Sequence, residues 1–201
     1  MTVSIASLPD AIAERGYCVI PAWLPPGAVA ALGEIALARV EAGEFRAARV
    51  GRTGRATDAP ELRGDLIQWL EPDDPAVPVR ETLERFDAFR RTLNEQLFLG
   101  LAAFEAHFAV YPPGAFYARH VDRFRDDDAR VVSAVLYLND AWRETDGGCL
   151  RLYDGEALVT EVAPAGGALV VFLSDRFPHE VLPARRPRLS LTGWFRRRQG
   201  P

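Results

Sequence analysis

The sequence predicts a mainly β fold whose helices are confined to its first half. Three observations carry this. From Leu101 onward, short runs rich in Val, Leu, Phe and Tyr recur at close spacing and are broken by Gly and Pro. The last of them, Arg188-Leu-Ser-Leu-Thr-Gly-Trp-Phe195, alternates polar and apolar residues with the period of a strand. Before Leu101, by contrast, apolar residues recur three and four apart, the spacing of a helix face. Short strands in close succession suggest a sandwich or barrel.

The elements follow in order. Ser7–Arg15 predicts a short helix ending at Gly16, and Tyr17–Pro21 an apolar strand. Pro25-Pro26 opens a helix whose stripe is Val29, Leu32, Ile35, Leu37 and Val40. Residues Arg46–Arg63 lose all period: Arg46, Arg49, Arg52, Arg55 and Arg63 interleave with Gly51, Gly54 and Pro60. A long exposed loop or loose hairpin is expected there, and a substrate-covering role is one reading of it. Leu66–Leu70 restarts order as a strand, and Val79–Leu99 is helical through Leu83, Phe86, Phe89, Leu93 and Leu97. Strands are then expected at Phe104–Tyr111, Phe116–Asp122, Val131–Asn139, Cys149–Tyr153, Val159–Val162, Ala168–Ser174, Glu180–Leu182 and Arg188–Arg196, with Gly147-Gly148 as a turn.

At 201 residues and 48% hydrophobic, the chain can bury a proper core in one domain. A formal charge of -4 argues against a general nucleic-acid binder, and no basic stripe with interleaved aromatics is present. Two cysteines, Cys18 and Cys149, without C-x-x-C spacing give no disulfide framework. Met1–Gly16 carries Asp10, Glu14 and Arg15 and no long apolar run, so no export signal is expected. No run approaches the roughly 18 apolar residues of a spanning helix. A cytoplasmic protein without a membrane partner is the expectation.

The chemistry lies in His120-Val-Asp122, His179 and Arg188. Residues two apart on a strand project to one side, so His120 and Asp122 can reach one metal. His179, in Phe177-Pro-His-Glu-Val181, can supply a third ligand from another strand. Two imidazoles and one carboxylate hold iron(II) on one face and leave the opposite positions open. Arg188 offers a permanently charged planar fork suited to a carboxylate. It shares a strand face with Ser190, Thr192 and Trp194, a polar face that points inward if the barrel holds a ligand. Tyr137 shares a face with Ser133 and Val135 and can offer its hydroxyl to a carboxylate. Two further features carry less: His107 is expected to be a partly exposed strand residue, and Asp126-Asp-Asp128 a solvated loop flanked by Arg123, Arg125 and Arg130.

Taken together, Tyr111-Pro-Pro-Gly114, Tyr117-Ala-Arg-His-Val-Asp122, Leu136-Tyr-Leu-Asn139, Asp146-Gly-Gly148 with Leu150-Arg-Leu152, Ser174-Asp-Arg-Phe-Pro-His-Glu-Val181 and Arg188 through Trp194 resemble the prolyl-hydroxylase branch of the iron(II)/2-oxoglutarate oxygenases. Arg63-Gly-Asp65 with Trp69 is similar to the strand preceding the core in that branch. The resemblance implies a mainly β fold with a double-stranded β-helix (jelly-roll) core and supporting N-terminal α-helices. It implies one oxygenase domain over 1–201, with 1–99 as mostly helical support carrying the 46–63 loop, and 100–198 as catalytic core. It implies that His120, Asp122 and His179 bind Fe(II), that Arg188 pairs with the distal carboxylate of 2-oxoglutarate, and that Tyr137 hydrogen-bonds to it. Tyr111, Leu150, Thr192 and Trp194 would line the cosubstrate pocket. The further expectations are O2 as oxidant, L-ascorbate as reductant, and a proline-containing protein or peptide as substrate, the translation machinery among the candidates. A free amino acid or small molecule as substrate, or a sensor that binds metal and 2-oxoglutarate without turnover, stay open as alternatives.

Overall fold

The structure is a computed structural model and describes residues 8–49, 59, 61–123 and 129–198. Among the described residues three α-helices, α1 (Leu8–Arg15), α2 (Pro26–Glu41) and α3 (Val77–Leu97), accompany eleven strands. In chain order the strands are β1 (Tyr17–Ile20), β2 (Arg46–Ala47), β3 (Leu66–Leu70), β4 (Leu101–Tyr111), β5 (Tyr117–His120), β6 (Arg130–Tyr137), β7 (Leu150–Asp154), β8 (Ala157–Val162), β9 (Leu169–Leu173), β10 (His179–Val181) and β11 (Arg188–Arg197). Two sheets form, ordered β1-β9-β6-β11-β4-β3-β2 and β5-β10-β7-β8. Every strand pair is antiparallel. Strands β4 to β11 pass back and forth between the sheets, which is the jelly-roll winding expected from the sequence.

The helices cover one face of the larger sheet. Phe86, Phe89 and Leu93 of α3 and Val29 and Leu32 of α2 pack with Phe108, Leu136, Leu191 and Phe195 of the sheet. Each fully buried Phe or Leu contributes on the order of 1.5–3 kcal/mol. The buried face of α2 is Val29, Leu32, Gly33 and Ala36, and Leu37 is 45% exposed. Leu37, expected in the stripe, falls outside the buried face because it stands one residue, about 100° of rotation, past Ala36. Helix α3 ends where Phe98 turns into the left-handed region, φ 53°, and donates its N–H to Asn94 O. The Asn94 side chain then accepts from Leu101 N and donates to Leu101 O, which starts β4 earlier than the apolar pattern suggests.

The other face of the larger sheet meets the smaller one. Tyr111, Val135, Tyr137, Val170 and Phe172 pack against Leu150, Leu152 and Val181. Both faces of β11 are therefore buried: Leu189, Leu191 and Phe195 toward the helices, Arg188 and Ser190 toward the barrel interior. A polar strand face turned inward marks where a ligand belongs. Within the 46–63 segment, Arg46–Ala47 pairs with Ile67 and Leu66 as a two-residue strand. The expected covering loop otherwise falls on 50–58 and 60, outside the described residues, as does the run at 126–128. No helix among the described residues is long and apolar enough to cross a membrane.

Candidate metal centre and anion pocket

Strands β5 and β10 bring the two histidines face to face. His179 and His120 are direct antiparallel partners, with ring centroids 4.2 Å apart. Asp122, just past β5, turns its carboxylate between them: Oδ1 lies 3.6 Å from His120 Nε2 and Oδ2 lies 3.6 Å from His179 Nε2. One ligand atom from each of the three residues falls within 4.8 Å of the others. Among the described residues this is the one grouping of three that could hold a metal ion.

The orientation of each ligand has a cause. His120 Nδ1 donates to Ala118 O (2.8 Å) and His179 Nδ1 donates to Phe177 O (3.0 Å). A carbonyl can only accept, so the proton sits on Nδ1 and the Nε2 lone pair of each ring faces Asp122. Burial and the adjacent His120 push His179 down to about 4, with Asp122 opposing, so its imidazole is neutral at neutral pH. Burial would raise the Asp122 carboxyl. His179, His120 and the Ser133 hydroxyl outweigh it and hold the group below the usual carboxylate range. Ser133 Oγ donates to Asp122 Oδ2 (2.7 Å) and contacts Ser174 Oγ (2.9 Å).

Arg188 lies elsewhere in the same interior and is 1% exposed. Its Nε donates to Gly148 O (2.9 Å), while Nη2 is buried with no hydrogen-bond partner among the described residues. The Tyr137 hydroxyl is likewise buried and unpartnered, and the Arg188 guanidinium sits 5.0 Å from its ring. Burial pushes the Tyr137 phenol up to about 12, against the Arg188 charge, so it stays a donor. Gly148 permits this arrangement: its φ is +70°, and a Cβ there would meet Ala184 Cβ at 2.9 Å and Arg188 Cδ at 3.3 Å. A buried cation with an unsatisfied Nη2 and a buried hydroxyl without a partner among the described residues are costly unless an anion completes them. These orphaned donors fit a carboxylate, as the His/Asp/His set fits a divalent iron.

The remaining expected pocket residues are placed as follows. Tyr111 is buried and pairs in register with Arg188, whose guanidinium lies 5.1 Å from its ring. Leu150 is buried in the same inner cluster as Tyr137. Thr192 is half-buried, its hydroxyl 3.3 Å from Ser190 Oγ. Trp194 is buried beside Ser133 in register, with no hydrogen-bond partner for its Nε1 among the described residues.

The expectation for His107 is overturned. It is 3% exposed, not partly open, and its ring lies 5.1 Å from Trp69 and 5.6 Å from Trp194. Its phase on β4 is that of Ala109 and Tyr111, so it faces the barrel interior and not solvent. It does not belong to the metal group. Sequence reasoning also passed over Ser133 as a support for Asp122. The face it shares with Tyr137 was the available signal.

An iron-type facial ligand set and an orphaned cation inside one jelly roll define a metal-dependent oxygenase scaffold. The chain belongs to the 2OG-Fe(II) oxygenase superfamily, whose description matches residues 106–196, and within it to the prolyl-hydroxylase branch. A Pseudomonas putida prolyl-4-hydroxylase is similar at 48% identity and a TM-score of 0.88, over 98% of this chain and 100% of that one. A Trichoplax adhaerens prolyl hydroxylase, solved with a hypoxia inducible factor peptide fragment, is similar at 27% identity and a TM-score of 0.86, over 96% of this chain and 88% of that one. Human Egl nine homolog 1 is 30% identical over 189 residues, 90% of this chain and 44% of that protein. The chain spans about half the length of the Egl nine relatives it matches, 44% to 55%.

Proposed function

We propose that this protein is an iron(II)- and 2-oxoglutarate-dependent dioxygenase that hydroxylates a prolyl residue of a protein substrate and releases succinate and carbon dioxide. One observation carries the reading: a His/Asp/His set and a buried guanidinium whose Nη2 has no partner among the described residues share one barrel interior. His120, Asp122 and His179 hold iron(II), whose chemistry when bound is the activation of O2 for oxidation of the cosubstrate and substrate. Arg188 seats the distal carboxylate of 2-oxoglutarate, and Tyr137 donates a hydrogen bond to it. Tyr111 and Leu150 keep that pocket dry; Thr192 and Trp194 border it. Ser133 fixes the Asp122 carboxylate so that an oxygen stays aimed between the imidazoles.

The prolyl substrate is supported by the Pseudomonas, Trichoplax and human relatives, and a peptide-like substrate by the peptide in the Trichoplax complex. Residues 1–201 act as one domain, with 100–198 as the catalytic core. L-ascorbate serves as reductant, the location is cytoplasmic, and proteins of the translation machinery are the first targets to assay. The test compares cell extracts treated with the native protein or with His179→Ala, in the presence of iron(II) and 2-oxoglutarate. Proteome mass spectrometry then seeks prolines that gain one oxygen atom. Gain restricted to the native protein supports the reading. Succinate release driven only by a free amino acid would overturn the substrate class, and no release under any condition would overturn the activity.

A further inference from the structure

The two metal-facing histidines are held in different ways. His179 is buried, with Phe172 edge-on at 4.8 Å, so the core itself fixes it. His120 is 19% exposed and sits at the end of a four-residue strand. That strand pairs with β10 at only two registered positions, separated by an irregularity. Its other edge leans on the segment before β3: Ala118 N donates to Leu62 O (2.7 Å), and Gly64 N donates to Phe116 O (3.0 Å). Arg63 and Tyr117 form an isolated antiparallel bridge in the same place.

From that segment a stack of side chains runs to the metal ligand. The Tyr117 ring lies parallel to the His120 imidazole, with centroids 3.6 Å apart and an interplanar angle of 15°. Arg63 places its guanidinium 4.2 Å from the Tyr117 ring centre. Asp65 locks that guanidinium with two parallel bonds, 2.7 Å from Nε and 2.6 Å from Nη2, and its carboxylate is fully buried. A planar, doubly bonded guanidinium on an aromatic ring is an arrangement lysine cannot reproduce. The hydrogen bond from Nδ1 to Ala118 O holds one edge of the His120 ring. The parallel Tyr117 ring braces its face.

We infer that Asp65, Arg63 and Tyr117 are positioning residues that set the plane of the His120 imidazole, and with it the affinity and ligand field of the metal centre. The inference rests on the metal-site reading above and extends it to a layer that touches neither metal nor cosubstrate carboxylate. It assigns Arg63-Gly-Asp65 a role inside the protein.

The test is titration of the metal-free protein with Co(II), read by its visible absorption bands, which report ligand geometry without turnover. Tyr117→Phe keeps the ring and is expected to match the native affinity and bands. Tyr117→Leu removes the ring and is expected to weaken Co(II) binding about tenfold, the scale seen when an outer support of a ligand is lost, and to shift the bands. Arg63→Lys keeps the charge but loses the fork, and is expected to shift the bands in the same direction by less. Thermal melting of each metal-free variant reports whether it folds. Native affinity and native bands in Tyr117→Leu would overturn the inference. Should Tyr117→Leu fail to fold, native bands in Arg63→Lys would do so. If native protein binds no Co(II) and His179→Ala behaves identically, the metal site itself is at fault, an outcome distinct from an inert stack.

Discussion

Replacing Arg188 by Met separates a ligand-binding cation from a structural one. The guanidinium is buried, its Nε is satisfied by Gly148 O, and its Nη2 is not satisfied at all. Without an anion, an unpaired interior charge opposes folding, and exchange for an apolar group of similar volume is neutral or stabilising. The loss of the Gly148 O partner offsets this by about 1 kcal/mol. The ligand-free variant is therefore expected to melt near the native temperature. With 2-oxoglutarate the sign reverses. One charge-assisted bond from Nη2 to a carboxylate contributes about 1.5–3 kcal/mol, so removal weakens binding roughly ten- to hundredfold. At a concentration a hundred times the native Kd, native protein gains about 2.7 kcal/mol from the ligand, and a variant weakened a hundredfold gains about 0.4 kcal/mol. For a domain of this size that is a shift of roughly 5–11 °C against roughly 1 °C. Thermal melting of the Mn(II)-loaded protein with and without 2-oxoglutarate reads both quantities. A native-sized ligand shift in Arg188→Met would refute the assignment of Arg188 to the cosubstrate. So would a ligand-free melting point lowered by 10 °C or more, roughly 2.5–5 kcal/mol, which would mark the residue as structural.

Three further outcomes follow from the same geometry. His179→Ala leaves two ligands of three and should abolish iron-dependent 2-oxoglutarate decay; succinate assays near the native rate would contradict the metal set. Ser133→Ala removes the 2.7 Å bond to Asp122 and should weaken Mn(II) binding about tenfold, measured by calorimetry, with the fold kept. His107→Phe should flatten the acid limb of the stability curve. Burial holds His107 at about 4, below the roughly 6.5 of an unfolded chain. The unfolded state binds the extra proton between those values, so stability falls as pH drops through that window, by up to about 1.4 kcal/mol per pH unit. Denaturant titrations of the metal-free protein at pH 7 and pH 4.5 measure it, and an unchanged pH dependence in His107→Phe would show that this imidazole is not the group that titrates.

Much of the fold was legible because its signals are local. Alternation along Arg188–Phe195 gave both the strand and the inward polar face, and helical spacing gave α3 with its buried Phe86, Phe89 and Leu93. What escaped depends on which face of which sheet is covered. His107 alternates against Phe104, Ala106 and Phe108, and on a one-sided sheet that phase is solvent. Here Trp69 and Trp194 cover it, so the same phase is buried. Leu37 failed for the converse reason: α2 buries a narrow stripe ending at Ala36, and hydrophobicity alone cannot say where a stripe ends. The ligand triplet was legible as three residues in a motif order. The parts that hold it in place, Ser133 behind Asp122 and the Arg63–Tyr117 stack beside His120, come from contacts between distant strands that no spacing rule reaches.

The charges inside the barrel carry one more consequence. Asp122 is a buried anion and Arg188 a buried cation, and no ion pair joins them among the described residues. Their sum is zero, yet each stands without a full countercharge. A divalent metal on the triplet leaves the interior two charges positive, and a dianionic 2-oxo acid on Arg188 alone leaves it two charges negative. Only the two together restore neutrality in a region where uncompensated charge is expensive. The two ligands should therefore bind with positive coupling. Linkage requires the factor by which Mn(II) tightens 2-oxoglutarate to equal the factor by which 2-oxoglutarate tightens Mn(II), with typical couplings of about 5- to 150-fold. Calorimetric titration in both orders measures each factor independently. Arg188→Met removes a standing charge but not the +2 and −2 that the two ligands bring, so it should weaken 2-oxoglutarate binding in both orders while the two factors stay equal and near their native size. Coupling that is absent in native protein would mean that solvent, and not the opposing ligand, neutralises these two groups.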